Sequence, residues 1–142
     1  MKRDKTIVGR VEKVDFPELG ILDIEAKIDT GAYSTAIHSH RIWVEEKDGV
    51  EYLNFEVLDP SDEKYVGLVI RTKNFFRKVV KSSNGRKEKR YIIKTVIQLG
   101  GKKRKTDVSL TDRGKMKYPV LIGRKVLKNG FLVDVSQKNL VK

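Results

Sequence analysis

Apolar and polar residues alternate along most of this chain, and the alternation has the period of strands. Ile21-Leu22-Asp23-Ile24-Glu25-Ala26-Lys27-Ile28 is the clearest stretch, reading as a half-buried strand. Residues 7–12 read as a strand before it, and Phe16-Pro17-Glu18-Leu19-Gly20 as the turn between. Residues 41–46 and 52–58 flank Lys47-Asp48-Gly49, and Asp-Gly is a hairpin signal. Residues 66–71 form another strand. Residues 77–81 and 91–99 flank a second turn, Ser82-Ser83-Asn84-Gly85. Gly100-Gly101-Lys102-Lys103 then turns the chain into a strand over 105–110. Val120-Leu121-Ile122 is short and wholly apolar, and a strand over 131–135 closes the series. Helix signals are scarce. The best helix covers 124–128 and is stopped by Asn129-Gly130, a C-cap pair. A shorter helical turn is expected after Asp112. Many short strands joined by turns predict an all-β closed barrel or sandwich, not a parallel α/β sheet.

Composition narrows the classes. The 142 residues suit one domain over 1–142, with a loose basic start at 1–5 and no linker or repeat. The absence of cysteine removes disulfides, thiolate metal sites and a cysteine nucleophile. No apolar run reaches the ~18–20 residues that cross a membrane, and no signal-peptide core opens the chain. The expectation is a soluble cytoplasmic protein with no membrane partner. The net charge of +12 is unevenly spread. Residues 1–70 hold 9 Lys/Arg against 15 Asp/Glu, and residues 71–142 hold 22 against 4. Such asymmetry points to an anionic partner, such as nucleic acid or acidic peptide, or to a surface that keeps the protein in solution.

One segment carries chemistry: Ala26-Lys27-Ile28-Asp29-Thr30-Gly31-Ala32. A given four-residue string arises by chance in roughly one chain in a thousand of this length. The strand delivers the Asp29 carboxylate at its end. Thr30 offers a hydroxyl, and Gly31 lets the backbone approach and donate its N–H. Together they can fix a carboxylate in one orientation. The bland alternative is a carboxylate that caps a turn after a strand.

Asp29-Thr30-Gly31 resembles the active-site signature of aspartic proteases of the retroviral type. Val120-Leu121-Ile122-Gly123-Arg124, with a short helix after it, resembles that fold's second motif in the right order. Ala36-Ile37-His38, Lys81-Ser82-Ser83-Asn84-Gly85, Leu110-Thr111-Asp112-Arg113, Tyr118-Pro119 and Phe131-Leu132-Val133-Asp134 narrow the likeness. With these motifs the chain resembles the bacterial and archaeal family labelled ATP-dependent zinc protease, over about 8–140. The resemblance implies a retropepsin-like acid-protease barrel with one short C-terminal helix. It implies an association with ATP-grasp glutamate ligases, and an acidic, glutamate-rich peptide or protein tail as substrate. Catalysis falls to Asp29, with Thr30 and Gly31 as its support, and Ala32, Gly123 and Arg124 bind substrate or brace the site.

Aspartic proteolysis needs two carboxylates that share a proton, and this chain has one Asp-Thr-Gly. The implied enzyme is therefore a two-fold homodimer with one Asp29 from each subunit at the axis. No cofactor or metal is expected. Gly100-Gly101-Lys102-Lys103 lacks the spacing of a phosphate-binding loop, and His38 and His40 form no His-Glu-x-x-His. Their alternation would set both rings on one strand face. Packing or surface roles suit them better.

Other residues carry weaker readings. Tyr33 stands where viral retropepsins have an acid that pairs with the arginine of the second motif. This leaves Asp134 or Asp112 as candidate partners of Arg124. The basic runs Arg86-Lys87-Glu88-Lys89-Arg90 and Lys102-Lys103-Arg104-Lys105 read as solvated loops, or as walls of an acidic-peptide cleft. Phe75 and Phe76 should face opposite ways. The competing function is an inactive retropepsin-like module that binds acidic peptide or nucleic acid through its basic C-terminal half.

Overall fold

The computed structural model describes residues 4–81, 85–111 and 117–141. The helical turn expected after Asp112 lies outside the described residues, as does most of the second turn, Ser82-Ser83-Asn84. The strands are β1 (Thr6–Val8), β2 (Val11–Phe16), β3 (Ile21–Ile28), β4 (Thr35–Lys47), β5 (Val50–Val57) and β6 (Val69–Thr72). They continue as β7 (Phe75–Lys81), β8 (Lys87–Leu99), β9 (Lys102–Thr111), β10 (Val120–Ile122) and β11 (Phe131–Val133). One short α-helix, α1 (Arg124–Leu127), precedes β11.

Six strands close a ring in the order β3, β2, β8, β9, β4 and β10, with β10 returning to β3. The alternation read from the sequence is what fills it. Ile24, Ala26 and Ile28 of β3 point inward beside Val14, Ile37, Ile97, Val108 and Ile122, all buried. β10 is apolar because it wedges between two neighbours. It runs parallel to β3, pairing Val120 with Ala26 and Ile122 with Ile28, and antiparallel to β4. Outside the ring, the far half of β4 continues with β5 and β6 as an arm. The hairpin turn at Asp48-Gly49 has both residues at positive φ, as that pair favours. Phe75 packs on the core and against Tyr91, while its neighbour Phe76 is exposed. No helix among the described residues is long and apolar enough to cross a membrane.

The strand expected over 7–12 is broken in two at Gly9-Arg10. The cause is the end of the chain, which crosses there. A Cβ on Gly9 would lie 2.4 Å from the Gln137 carbonyl oxygen. Arg10 N–H donates to that carbonyl at 2.7 Å, and Asn139 N–H donates to Val11 O at 2.8 Å. Beneath the crossing lies Glu12, fully buried. Its carboxylate accepts the backbone N–H groups of Gly9 at 2.7 Å, Leu140 at 2.9 Å and Val141 at 3.2 Å. The last strand stops at Val133, short of the expected 135, because Asp134 turns the chain. It accepts the Ser136 hydroxyl at 2.6 Å and N–H at 3.0 Å. Those bonds, with Gln137, hold the Asp134 carboxyl below its usual range. β4 begins at Thr35 and not at residue 41, because its first residues pair with β9: Thr35 meets Val108 and Ile37 meets Leu110.

Candidate active site

The end of β3 carries Asp29. Pairing with β10 does not stop at Ile28, because Asp29 N–H donates to Ile122 O at 2.9 Å. The chain then turns tightly, with Ala32 N–H on Asp29 O at 3.3 Å. Inside that turn Gly31 N–H donates to Asp29 Oδ1 at 2.9 Å. A side chain on residue 31 would crowd the bond, for its Cβ would sit 3.2 Å from Oδ1. The carboxylate is thus fixed by its own loop and half-exposed, with Thr30 and Gly31 exposed beside it. Among the described residues the Thr30 hydroxyl has no hydrogen-bond partner.

Gly123 and α1 brace this loop from behind. Gly123 N–H donates to the buried Thr35 hydroxyl at 3.3 Å. A Cβ on Gly123 would fall 2.4 Å from Ser34 O and 2.5 Å from Tyr33 O, both backbone atoms. Arg124 N–H then donates to Ala32 O at 2.8 Å, and Lys125 N–H to Tyr33 O at 3.0 Å. The helix start therefore clamps residues 32–33 through their carbonyls. The Arg124 guanidinium reaches back to Thr30 O at 3.0 Å and lies over the Tyr33 ring at 5.8 Å. All six site residues read from the sequence come together here: Asp29, Thr30, Gly31, Ala32, Gly123 and Arg124. The expected Asp134 partner of Arg124 is not used, since Asp134 holds Ser136 and Gln137. Tyr33 offers an aromatic face and Thr30 a carbonyl in its place. Asp112 lies outside the described residues.

Gly123→Ala should cost about 1–3 kcal/mol, because backbone cannot yield as a side-chain tip does. The loop at 30–34 would be displaced with it. Thermal denaturation checks this, and an unchanged midpoint would contradict the packing.

The two histidines part company. His38 is buried, with Nε2 2.6 Å from Asp59 Oδ2. Asp59 also accepts the Ser61 hydroxyl and N–H, which, followed by His38, hold its carboxyl below the usual range. His40 is exposed. The β4–β5 register slips between Ser39 and Arg41, so His40 is the extra residue of a bulge, and the expected shared face is lost. Among the described residues no three His, Asp or Glu side chains gather as metal ligands. The two basic runs are not loops: the first opens β8 and the second opens β9. Lys102 and Arg104 pack over the Phe131 ring at 5.1 and 5.8 Å, and Lys102 Nζ donates to Gly130 O at 2.6 Å. They tie strands together there. Lys78, marked by no motif, instead stands opposite Arg90 in the β7–β8 ladder. Only the strand register reveals that pairing.

Comparison with known proteins agrees with this geometry. The family model described as retropepsin-like aspartic endopeptidase RimB matches residues 7–142. A Shewanella pealeana protein named "Probable alpha-L-glutamate ligase" is 38% identical over 137 residues, which cover 96% of this chain and 30% of that protein. A Desulfotalea psychrophila protein of the same name is 31% identical over 130 residues, covering 92% of this chain and 28% of its own length. The chain thus spans less than a third of the curated relatives it matches. A crystal structure of a Legionella pneumophila protein of unknown function (DUF785) superposes with a TM-score of 0.74 at 31% identity, covering 98% of this chain and 100% of that one. From the Asp-Thr-Gly loop, the Gly-Arg brace and the closed barrel to the family match, these observations agree, and the chain belongs to the RimB-like family of retropepsin-like aspartic endopeptidases.

Proposed function

We propose that this chain is an aspartic endopeptidase that cuts acidic, glutamate-rich peptide or protein tails through a dyad of two Asp29 carboxylates in a homodimer. The observation that carries this reading is the Asp29 carboxylate, held by Gly31 N–H at 2.9 Å on an exposed loop. One chain supplies one such group. A partner related by a two-fold axis supplies the second, and the exposed Thr30 hydroxyl is free to bond across that axis. Two carboxylates at about 3 Å cannot both ionise, so the pair keeps a proton. The ionised member takes a proton from a water whose oxygen attacks the peptide carbonyl. The protonated member gives its proton to the carbonyl oxygen. When the tetrahedral carbon collapses, the C–N bond breaks, the leaving nitrogen takes the proton that the first carboxylate drew from water, and a hydroxyl of the diol returns a proton to the second.

Two observations support an acidic substrate. The half of the chain from residue 71 carries 22 Lys/Arg against 4 Asp/Glu, which steers anionic peptides toward the molecule. The matched relatives are named for a ligase of α-L-glutamate, with this chain's counterpart occupying less than a third of them. Joining a peptidase to such a ligase would put synthesis and trimming of a glutamate tail in one place. Incubation with a glutamate-rich peptide, read by mass spectrometry, tests the proposal. New shorter peptides are expected, and a peptide that stays intact at every pH and protein concentration would overturn it.

A further inference from the structure

Beside the Asp29 loop lies a cavity of about 380 Å³. Ser34, three residues past Gly31, forms part of its wall, with Ile92, Asp107 and Ser109 on neighbouring strands. The β7–β8 hairpin supplies the rest, including Lys78 and Arg90. Lys78 and Arg90 are directly opposite each other in the ladder. Like charges at such a cross-strand position repel, and a fold tolerates them best when an anion lies between.

The surrounding acids neutralise this pair only in part. Asp107 is met by two ammonium groups, Lys125 at 3.5 Å and Lys94 at 3.9 Å. Glu88 reaches only the edge of Arg90, at 3.5 Å. Lys78 forms no ion pair among the described residues. Arg90 Nε is buried without a hydrogen-bond partner. A buried guanidinium N–H that lacks an acceptor is costly and is normally satisfied. The cavity wall thus carries two cations, and Ser34 sets it at the end of the loop that carries Asp29.

We propose that Lys78 and Arg90 form a subsite that takes the side-chain carboxylate of a glutamate next to the cut bond. The inference rests on the endopeptidase reading for its place in catalysis, but the subsite can be tested without it. The guanidinium can donate parallel N–H bonds to the carboxylate, and Lys78 adds a point charge from across the ladder. A glutamine of the same shape would offer neither the charge nor two acceptors. Selection of glutamate over glutamine therefore belongs to these two residues.

Two matched peptides, one rich in glutamate and one with glutamine at every such position, test this. The wild-type protein should cut the glutamate peptide with a kcat/KM about tenfold or more above the glutamine peptide. In the double variant Lys78→Gln/Arg90→Gln that ratio should fall toward one. Reversal of both charges, Lys78→Glu/Arg90→Glu, should turn preference toward a lysine-containing peptide, which a loss of folding cannot produce. A ratio unaltered by either variant would overturn the subsite. If the wild type cuts neither peptide, the endopeptidase reading fails and binding decides the subsite. Fluorescence anisotropy of labelled penta-glutamate on the Asp29→Asn protein should then show weaker binding once Lys78 and Arg90 are neutralised. Equal affinity with and without them, or no binding to either protein, would overturn it.

Discussion

Asp29→Asn should lower turnover of a glutamate-rich peptide by about a thousandfold, the scale of losing one acid–base group in a concerted proton relay. The substitution is nearly isosteric. Asparagine keeps an oxygen where Oδ1 accepts the Gly31 N–H at 2.9 Å. The side chain is half-exposed, so the change of charge removes little solvation. Folding stability should therefore stay within about 1 kcal/mol of the wild type. What is lost is chemical. An amide can neither accept a proton from water nor share one with the partner's carboxylate. Peptide cleavage followed beside thermal denaturation separates the two effects. Full turnover by a folded Asp29→Asn protein would remove Asp29 from the mechanism.

Glu12→Ala should have the largest effect on stability. The carboxylate is fully buried and accepts three backbone N–H groups, from Gly9, Leu140 and Val141. Alanine leaves all three without an acceptor and opens a void beneath the chain crossing. Each orphaned buried donor costs about 1–3 kcal/mol, so a total of about 3–5 kcal/mol is expected, allowing for water that enters. For a chain of this size that corresponds to a fall of about 10 °C or more in Tm. Glu12→Gln keeps one acceptor oxygen and should lose less. A Tm within about 3 °C of wild type for Glu12→Ala would show that the C-terminal segment is held by other contacts. The segment over 137–141 should also gain amide exchange first, because its bonds are the ones released.

The fold was legible wherever one face of a strand is buried. Residues 21–28 alternate cleanly, and the structure sets β3 over those same residues. The Asp48-Gly49 turn and the apolar Val120–Ile122 strand were equally plain, the first from backbone preference and the second from burial between two neighbours. Long-range contacts were not legible. Gly9 breaks a strand because Gln137 crosses it, and nothing in residues 7–12 announces that. Glu12 is a charged residue in that stretch, yet it is buried, because two of its three partners, Leu140 and Val141, come from the far end of the sequence. The six candidate site residues could be read because they fall in two short motifs, although the contacts that join Gly123 and Arg124 to the Asp29 loop are long-range. The partner of Arg124 was missed, since a carbonyl and an aromatic ring leave no charged signature. Lys78 and Arg90 were hidden by strand register, which turns two residues twelve apart into neighbours.

The central claim is that two copies of Asp29 act as one site, and subunit mixing measures it. Wild-type and Asp29→Asn proteins are combined in equal parts, allowed to exchange subunits, and assayed on a glutamate-rich peptide at constant total concentration. If the dyad is shared, only dimers with two aspartates cut, and activity falls to about a quarter of the pure wild type. Activity that falls to about half, in proportion to the wild-type subunits present, would contradict the shared site.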